Sequence, residues 1–265
     1  MKITLIVTTY NWPESLLLVL ESVSNQAILP DELIIADDGS DVKTKKLIDE
    51  FIKQSNLNII HSWQEDNGFR AARSRNKAIF KSSGDYIIMI DGDMVLHNNF
   101  INDHLINIEN GYFIQGTRSL ISEKETRKAI LKKNINFSFF SLGLKNRKNA
   151  IHSKVFSMLF SSKKNHLRGI KSCNLAFFKK DCINVNGFNN DFEGWGREDS
   201  EFVIRLINSG IKRKSLRFNA IQFHLWHNEN SRILIEKNDQ LLDEAVKNKI
   251  VWCKNGINSI ENHES

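Results

Sequence analysis

The reading of the fold turns on Asp85-Tyr-Ile-Ile-Met-Ile-Asp-Gly-Asp-Met94. Residues 86–90 form an unbroken apolar run, the pattern of a strand buried on both faces of a parallel sheet. The run stops at Asp91-Gly92-Asp93. Two carboxylates flanking a glycine at the end of a buried strand do little for stability. They suit a divalent cation, which takes hard oxygen ligands and needs close backbone approach. An acidic turn is the plain alternative, since short acidic motifs recur by chance.

Working outward, residues 2–9 and 32–36 read as further strands rich in Ile, Leu and Val, and 57–63 as a third. Helices are expected between them: from Pro13, with Leu16, Leu17, Val19, Leu20 and Val23 on its apolar face; after a capping Asp41; and over 69–82. Alternating strands and helices predict an α/β fold, a mostly parallel Rossmann-like sheet flanked by helices. In such sheets ligands collect at the carboxyl ends of the strands. Asp37/Asp38 and Asp91/Asp93 then share one edge. A nucleotide fits there, one carboxylate meeting base or ribose donors and the other pair a metal that neutralises a diphosphate. Arg70, Arg73 and Arg75 form a basic helix face near that edge, with one or two expected to touch phosphate.

The second half is less regular. Residues 112–117 and 215–225 read as strands, the latter running into His224-Leu-Trp-His227. A lone imidazole is more often structural, but beside a carboxylate site it suits a manganese-like ion. Residues 201–208 and 233–248 are expected to be helical, Gly210 closing the first. Gly194 and Gly196 let the chain bend around Trp195. An indole beside acids is a common sugar platform, its face covering C–H groups while carboxylates take hydroxyls. Glu198-Asp199 opens a helix, where Asp199 is placed either to cap or to take part in catalysis.

The chain has 265 residues, 41% hydrophobic, enough for one large α/β unit. Two prolines and no Gly/Ser-rich linker predict a single catalytic unit. Three cysteines without CxxC spacing favour a reducing compartment and argue against structural zinc. The first ten residues read as a strand rather than a leader, and no apolar run is long enough to span a bilayer. The net charge of +6 points to an anionic partner. From 118 to 171, fourteen Lys/Arg face only Glu123 and Glu125, with phenylalanines interleaved. No zinc, RRM or helix-turn-helix signature accompanies that charge, so a nucleic-acid-binding protein is a weaker alternative and no nucleic acid is expected. A sugar-nucleotide nucleotidyltransferase should carry a Gly-rich loop after the first strand, where Thr8-Thr-Tyr-Asn-Trp-Pro13 stands instead.

Val7-Thr-Thr-Tyr-Asn11, Ala36-Asp-Asp-Gly-Ser40, Asn67-Gly68 with Arg75-Asn76, and Asp91-Gly-Asp93 resemble the ordered motifs of family 2 glycosyltransferases, which have the GT-A fold. Asn174, Asn186-Gly-Phe188 and Gly194-Trp-Gly-Arg-Glu-Asp199 resemble the C-terminal motif of β-1,4-galactosyltransferases and bacterial chondroitin-type polymerases. The resemblance covers roughly 1–117 and 169–230 and leaves out 118–168. By position it implies that Thr8, Tyr10 and Asp38 meet the uridine, with Arg75 near the nucleotide. Asp91 would lie near ribose and metal, and Asp93 would ligate the metal. Trp195 and Glu198, with Asn174, would bind the acceptor, and Asp199 would be the catalytic base. One histidine would complete the metal site, His224 first and His227 as the alternative. The expected enzyme is an inverting transferase dependent on Mn2+ (Mg2+ as the alternative). It would move a hexose or N-acetylhexosamine from a UDP-sugar to a saccharide acceptor, which could be lipid-linked. The expected setting is bacterial surface polysaccharide or lipopolysaccharide synthesis in the cytoplasm. The expected organisation is a nucleotide-sugar half (1–117), a basic insertion (118–168), an acceptor half (169–230) and a C-terminal helix and tail (231–265); the insertion either contacts an anionic membrane or is a solvated segment whose aromatics pack on the catalytic core.

Overall fold

The computed structural model describes residues 1–229 and 231–260. Asn230 and residues 261–265, at the ends of the two last expected segments, lie outside the described residues. The first half alternates as its sequence dictates: β1 (Ile3–Thr9), α1 (Pro13–Ser24), β2 (Glu32–Asp37), α2 (Val42–Gln54), β3 (Ile59–Trp63), α3 (Ala71–Lys81) and β4 (Tyr86–Asp91). Pro13 takes the first turn of α1, where its missing N–H costs nothing. Asp41 caps α2, accepting from the Lys43 and Thr44 amides. Leu17 of α1 is only half-buried, with Leu18 turned inward beside Leu16, Val19, Leu20 and Val23.

Short elements follow: β5 (Met94–Leu96), α4 (Phe100–Leu105), β6 (Tyr112–Gln115), β7 (Ser119–Ile121), α5 (Glu123–Lys132), β8 (Leu144–Lys145) and α6 (Lys154–Phe160). Then come β9 (Leu175–Phe178), α7 (Lys179–Asn184), α8 (Glu198–Asn208), β10 (Lys212–Ser215), β11 (Gln222–His224) and α9 (Ile235–Lys247). Seven strands form the main sheet in the order β10-β6-β9-β4-β1-β2-β3. All its pairings are parallel except those of β9. The middles of its central strands are apolar because both faces are covered, by one cluster around Leu5, Val7, Ile88 and Ile90 and another around Ile6, Ile87 and Met89.

A second sheet, β5-β11-β7-β8, lies beyond the carboxyl end of β4. Its strands have two or three residues, too short for a periodic signal. Here one expectation is corrected: residues 215–225 are not a single strand. The chain leaves the main sheet after β10 and turns through Phe218 and Ala220, both at positive φ, 62° and 50°. It then enters the second sheet as β11. Asp103, fully buried, holds the turn by accepting from the Ala220 amide at 2.9 Å. β11 runs antiparallel to β5 with His224 opposite Met94. That register, absent from a continuous strand, carries His224 to Asp93.

Candidate active site

The register of the main sheet sets the first part of the cleft. Thr8 lies level with Ala36 on one side and Asp91 on the other, so the ends of β1, β2 and β4 are flush. Asp37 is structural: its carboxylate accepts from the Ser40 amide and pairs with His61 at 2.8 Å. Asp38 accepts from Gln64 Nε2 at 2.5 Å and the Arg70 amide at 2.7 Å. Burial raises its pKa to about 6 despite those donors. Tyr10 is half exposed and donates to Asp66 at 2.9 Å. Thr8 Oγ1 is buried with no partner.

Asp93 faces two imidazoles. His224 Nε2 is 3.1 Å and His227 Nε2 3.2 Å from the same oxygen, Oδ2. Both histidines thus lie against Asp93, the first choice His224 from β11 and the alternative His227 from the loop after it. Asp93 Oδ1 is buried and has no hydrogen-bond partner. An orphaned carboxylate oxygen beside two imidazole nitrogens is the donor set of a borderline divalent ion, and these three residues fit one. The imidazoles hold the Asp93 carboxyl far below the usual carboxylate range, overcoming its burial. Burial instead raises Asp91, with Arg75 opposing.

The remaining acids come from the start of α8. Trp195 stands on the turn before it, 39% exposed, with the Arg232 guanidinium 4.9 Å from its ring. Glycines at 194 and 196 take positive φ, 71° and 104°, and Arg197 follows at 79°, which tightens the turn into the helix. Asp199 is not the cap expected as one alternative; Arg197 holds that position. Asp199 accepts from its neighbour Ser200 and, through Oδ2, from the Ser172 amide at 3.2 Å. Burial and the adjacent Glu198 raise its pKa to about 6.

Arg75 joins the two parts. Its Nη1 donates to Glu198 Oε1 at 2.8 Å, and its Nη2 to Ser172 Oγ at 2.9 Å while standing 3.6 Å from Asp91 Oδ1. It is buried, whereas Arg73 on the same helix is half-buried, so the three arginines do not share one face. Next to it, Asn76 clasps the backbone N–H and C=O of Phe188 at 2.8 and 2.7 Å. A Cβ at Gly187 would meet Asn76 Oδ1 at 2.4 Å, which explains the glycine. The Arg75-Asn76 and Asn186-Gly-Phe188 motifs are thus two sides of one contact.

Asn174 does not reach the cleft. It is fully buried, donating to the Thr117 and Ala220 carbonyls at 2.9 Å and pairing with His104 at 3.0 Å. Every polar atom is used to hold the chain where it passes from one sheet to the other. Two residues went unnoticed in the sequence. Ser172 touches both Arg75 and Asp199. Arg118 opens the basic run and was hidden within it. Its guanidinium donates to the Cys173 thiol at 3.4 Å and lies close enough to Asp91 and Asp93 to feel both charges.

Residues 4–168 match the glycosyl transferase family 2 model, and the chain belongs to that family. The match runs through all of 118–168, the stretch that the resemblance leaves out. Residues 154–228 also match the model described as the N-terminal domain of galactosyltransferase. Chondroitin synthase of Escherichia coli is 26% identical over 238 residues, 84% of this chain and 34% of the relative. Hyaluronan synthase of Pasteurella multocida is 28% identical over 232 residues, 81% of this chain and 24% of the relative. The chain therefore spans about a third or less of the length of these relatives. The same fold occurs in S. aureus TarS residues 1–349, with a TM-score of 0.64 at 16% identity, covering 95% of this chain and 69% of that one. It also occurs in a mannosyltransferase from Pyrobaculum calidifontis in complex with GDP-Man and Mn2+, with a TM-score of 0.61 at 14% identity, covering 93% and 64%.

Proposed function

We propose that this glycosyltransferase is inverting and metal-dependent, and moves a hexose or N-acetylhexosamine from a UDP-sugar to a saccharide acceptor. The observation that carries the proposal is the division of labour around Arg75. Glu198 is ion-paired to it, whereas Asp199 has no cationic partner at hydrogen-bond distance among the described residues and a pKa raised toward the working range of a base. In the proposed reaction the acceptor hydroxyl rests near Trp195 and Asp199. Its oxygen attacks the anomeric carbon from the face opposite the diphosphate, and Asp199 takes its proton. The new C–O bond forms as the bond to the diphosphate breaks, and UDP leaves with the electron pair. One displacement inverts the centre, so an α-linked donor yields a β-linkage.

Asp93, His224 and His227 would hold the divalent ion, Mn2+ or Mg2+. When bound, that ion neutralises charge on the diphosphate. Arg118 would add a protein cation at the same end, and Asp91 would lie between ribose and metal. Tyr10, Asp38 and the partnerless Thr8 hydroxyl would line the uridine site. S. aureus TarS has been solved with UDP-GlcNAc, which supports a UDP donor; the GDP-Man complex of the mannosyltransferase is the competing precedent. The names of the relatives favour a growing glycan as acceptor and surface polysaccharide as product.

The experiment is a screen of UDP- and GDP-sugars for nucleotide release with Mn2+, without and then with oligosaccharide acceptors. Release with a UDP-sugar that rises with acceptor and is lost in chelator supports the proposal. Release only with GDP-sugars, or undiminished release in excess chelator, contradicts it.

A further inference from the structure

Residues 126–180 contain fourteen Lys/Arg and no acidic residue. Some of the apolar side chains interleaved with them are folded inward, while Leu131, Phe140 and Leu142 are exposed singly in the stretch before α6. Ile130, Ile135 and Phe137 pack into a core cluster with Leu18, Val95 and Leu225, and the Phe137 ring lies 5.4 Å from Phe223. They are accounted for by folding.

α6 is different. Of its seven residues only Ser157 is buried. Met158 is 80% exposed, Leu159 65%, and Val155, Phe156 and Phe160 are exposed beside them. The Phe156 and Phe160 rings lie 5.5 and 5.6 Å from Phe218 and 6.1 Å from each other. Five large apolar side chains on one short helix form a patch that a soluble surface does not keep without a use. The charge around it has one sign. Lys154 lies on the helix, Lys164 follows it, and the Arg217 guanidinium is 5.7 Å from the Phe218 ring. Two carboxylates on this side are already paired, Glu109 with Lys163 and Lys214 and the fully buried Asp103 with His152. Among the described residues no helix is long and apolar enough to cross a membrane.

We infer that α6, with Phe218 and the flanking Lys154, Lys164 and Arg217, is a monotopic docking element for an anionic lipid surface. The apolar side chains enter the acyl boundary and the cations meet the headgroups. A second protein copy would leave like charges facing each other across the contact, which disfavours self-association. The inference goes beyond the glycosyl-transfer reading and does not depend on it. If it holds, the enzyme works at a bilayer, which fits a lipid-linked acceptor.

The test is flotation of the whole protein with vesicles of phosphatidylglycerol and phosphatidylcholine, against phosphatidylcholine alone. Binding is expected to the anionic vesicles only, and to fall as salt rises. Met158→Ser with Leu159→Ser should abolish it while leaving the melting temperature unchanged, because both side chains are already in water. Replacing Lys154, Lys164 and Arg217 with Gln should weaken partitioning about 100-fold, at about fivefold per charge, equivalent to about 1 kcal/mol each. Equal binding to neutral vesicles, no binding to either, or flotation unaffected by the α6 substitutions would overturn the inference. So would a concentration-dependent dimer in sedimentation that the α6 substitutions dissolve, which would assign the patch to a second copy. Nucleotide release from a donor sugar in solution is the separate readout for the transferase reading.

Discussion

Two acidic pairs sit at opposite ends of the cleft, Asp91/Asp93 after β4 and Glu198/Asp199 at the start of α8. In each, one carboxylate is directed to Arg75 and the other is left for something else. Asp91 and Glu198 face the guanidinium, at 3.6 and 2.8 Å. Asp93 turns to two imidazoles and Asp199 to backbone amides. The pairs look alike in sequence and differ in what is missing. Among the described residues Asp93 has an unpartnered buried oxygen, and the two imidazoles hold its carboxyl strongly below the usual range. Asp199 has a pKa raised to about 6, the state of a group that exchanges a proton near neutrality. One buried arginine thus contacts one member of each pair, and on the proposed reading it would separate a metal ligand from a base.

The sharpest way to break this comparison is at Asp93. Asp93→Ala removes the only carboxylate between His224 and His227, and transfer should fall to background. Manganese binding, followed by electron paramagnetic resonance of the free ion, should be lost with it. Wild-type manganese affinity in the variant would place the ion elsewhere. Next in size is Asp199→Asn, which keeps shape but takes no proton. Transfer should fall about 10²–10⁴-fold, with donor affinity by calorimetry unchanged. A third substitution acts on both pairs. Arg75→Gln should loosen each, costing about 10²-fold in kcat through misplacement and weakening donor and acceptor together. An effect confined to donor KM would reduce Arg75 to a nucleotide contact. The smallest difference is between the histidines. His224 is fixed in β11, whereas His227 is in the following loop and more exposed. Manganese affinity should therefore drop further in His224→Ala than in His227→Ala.

Much of this was legible in the sequence for a physical reason. β1, β2 and β4 carry apolar stretches, unbroken over residues 86–90, because both sheet faces are covered, and the ends of β2 and β4 announce Asp38, Asp91 and Asp93. The Asp41 cap and Pro13 start were local signals. What was hidden depended on long-range pairing. The break within residues 215–225 rests on Asp103, more than a hundred residues earlier. The β5–β11 pairing that brings in the histidines involves strands of three residues. Arg75 read as one of three surface arginines because its partners, Glu198 and Ser172, are distant in the chain. Asn174 was misassigned because a buried amide and a ligand-binding amide are the same residue in sequence. The basic run concealed both Arg118 in the cleft and the division of its apolar residues between core and surface.

The central claim is that Arg75 neutralises Glu198 and leaves Asp199 as the proton acceptor. The most direct measurement is kcat against pH, at saturating substrates, for the wild type, Asp199→Asn and Glu198→Gln. A base must be ionised to act, so the wild-type rate should climb about tenfold per unit of pH below its pKa and level off above about 6. Glu198→Gln should keep that rising limb, shifted to lower pH because the neighbouring negative charge that helps raise Asp199 is gone. Asp199→Asn should show a low rate with no such limb. A limb that persists in Asp199→Asn and disappears in Glu198→Gln would assign the base to Glu198 and contradict the account.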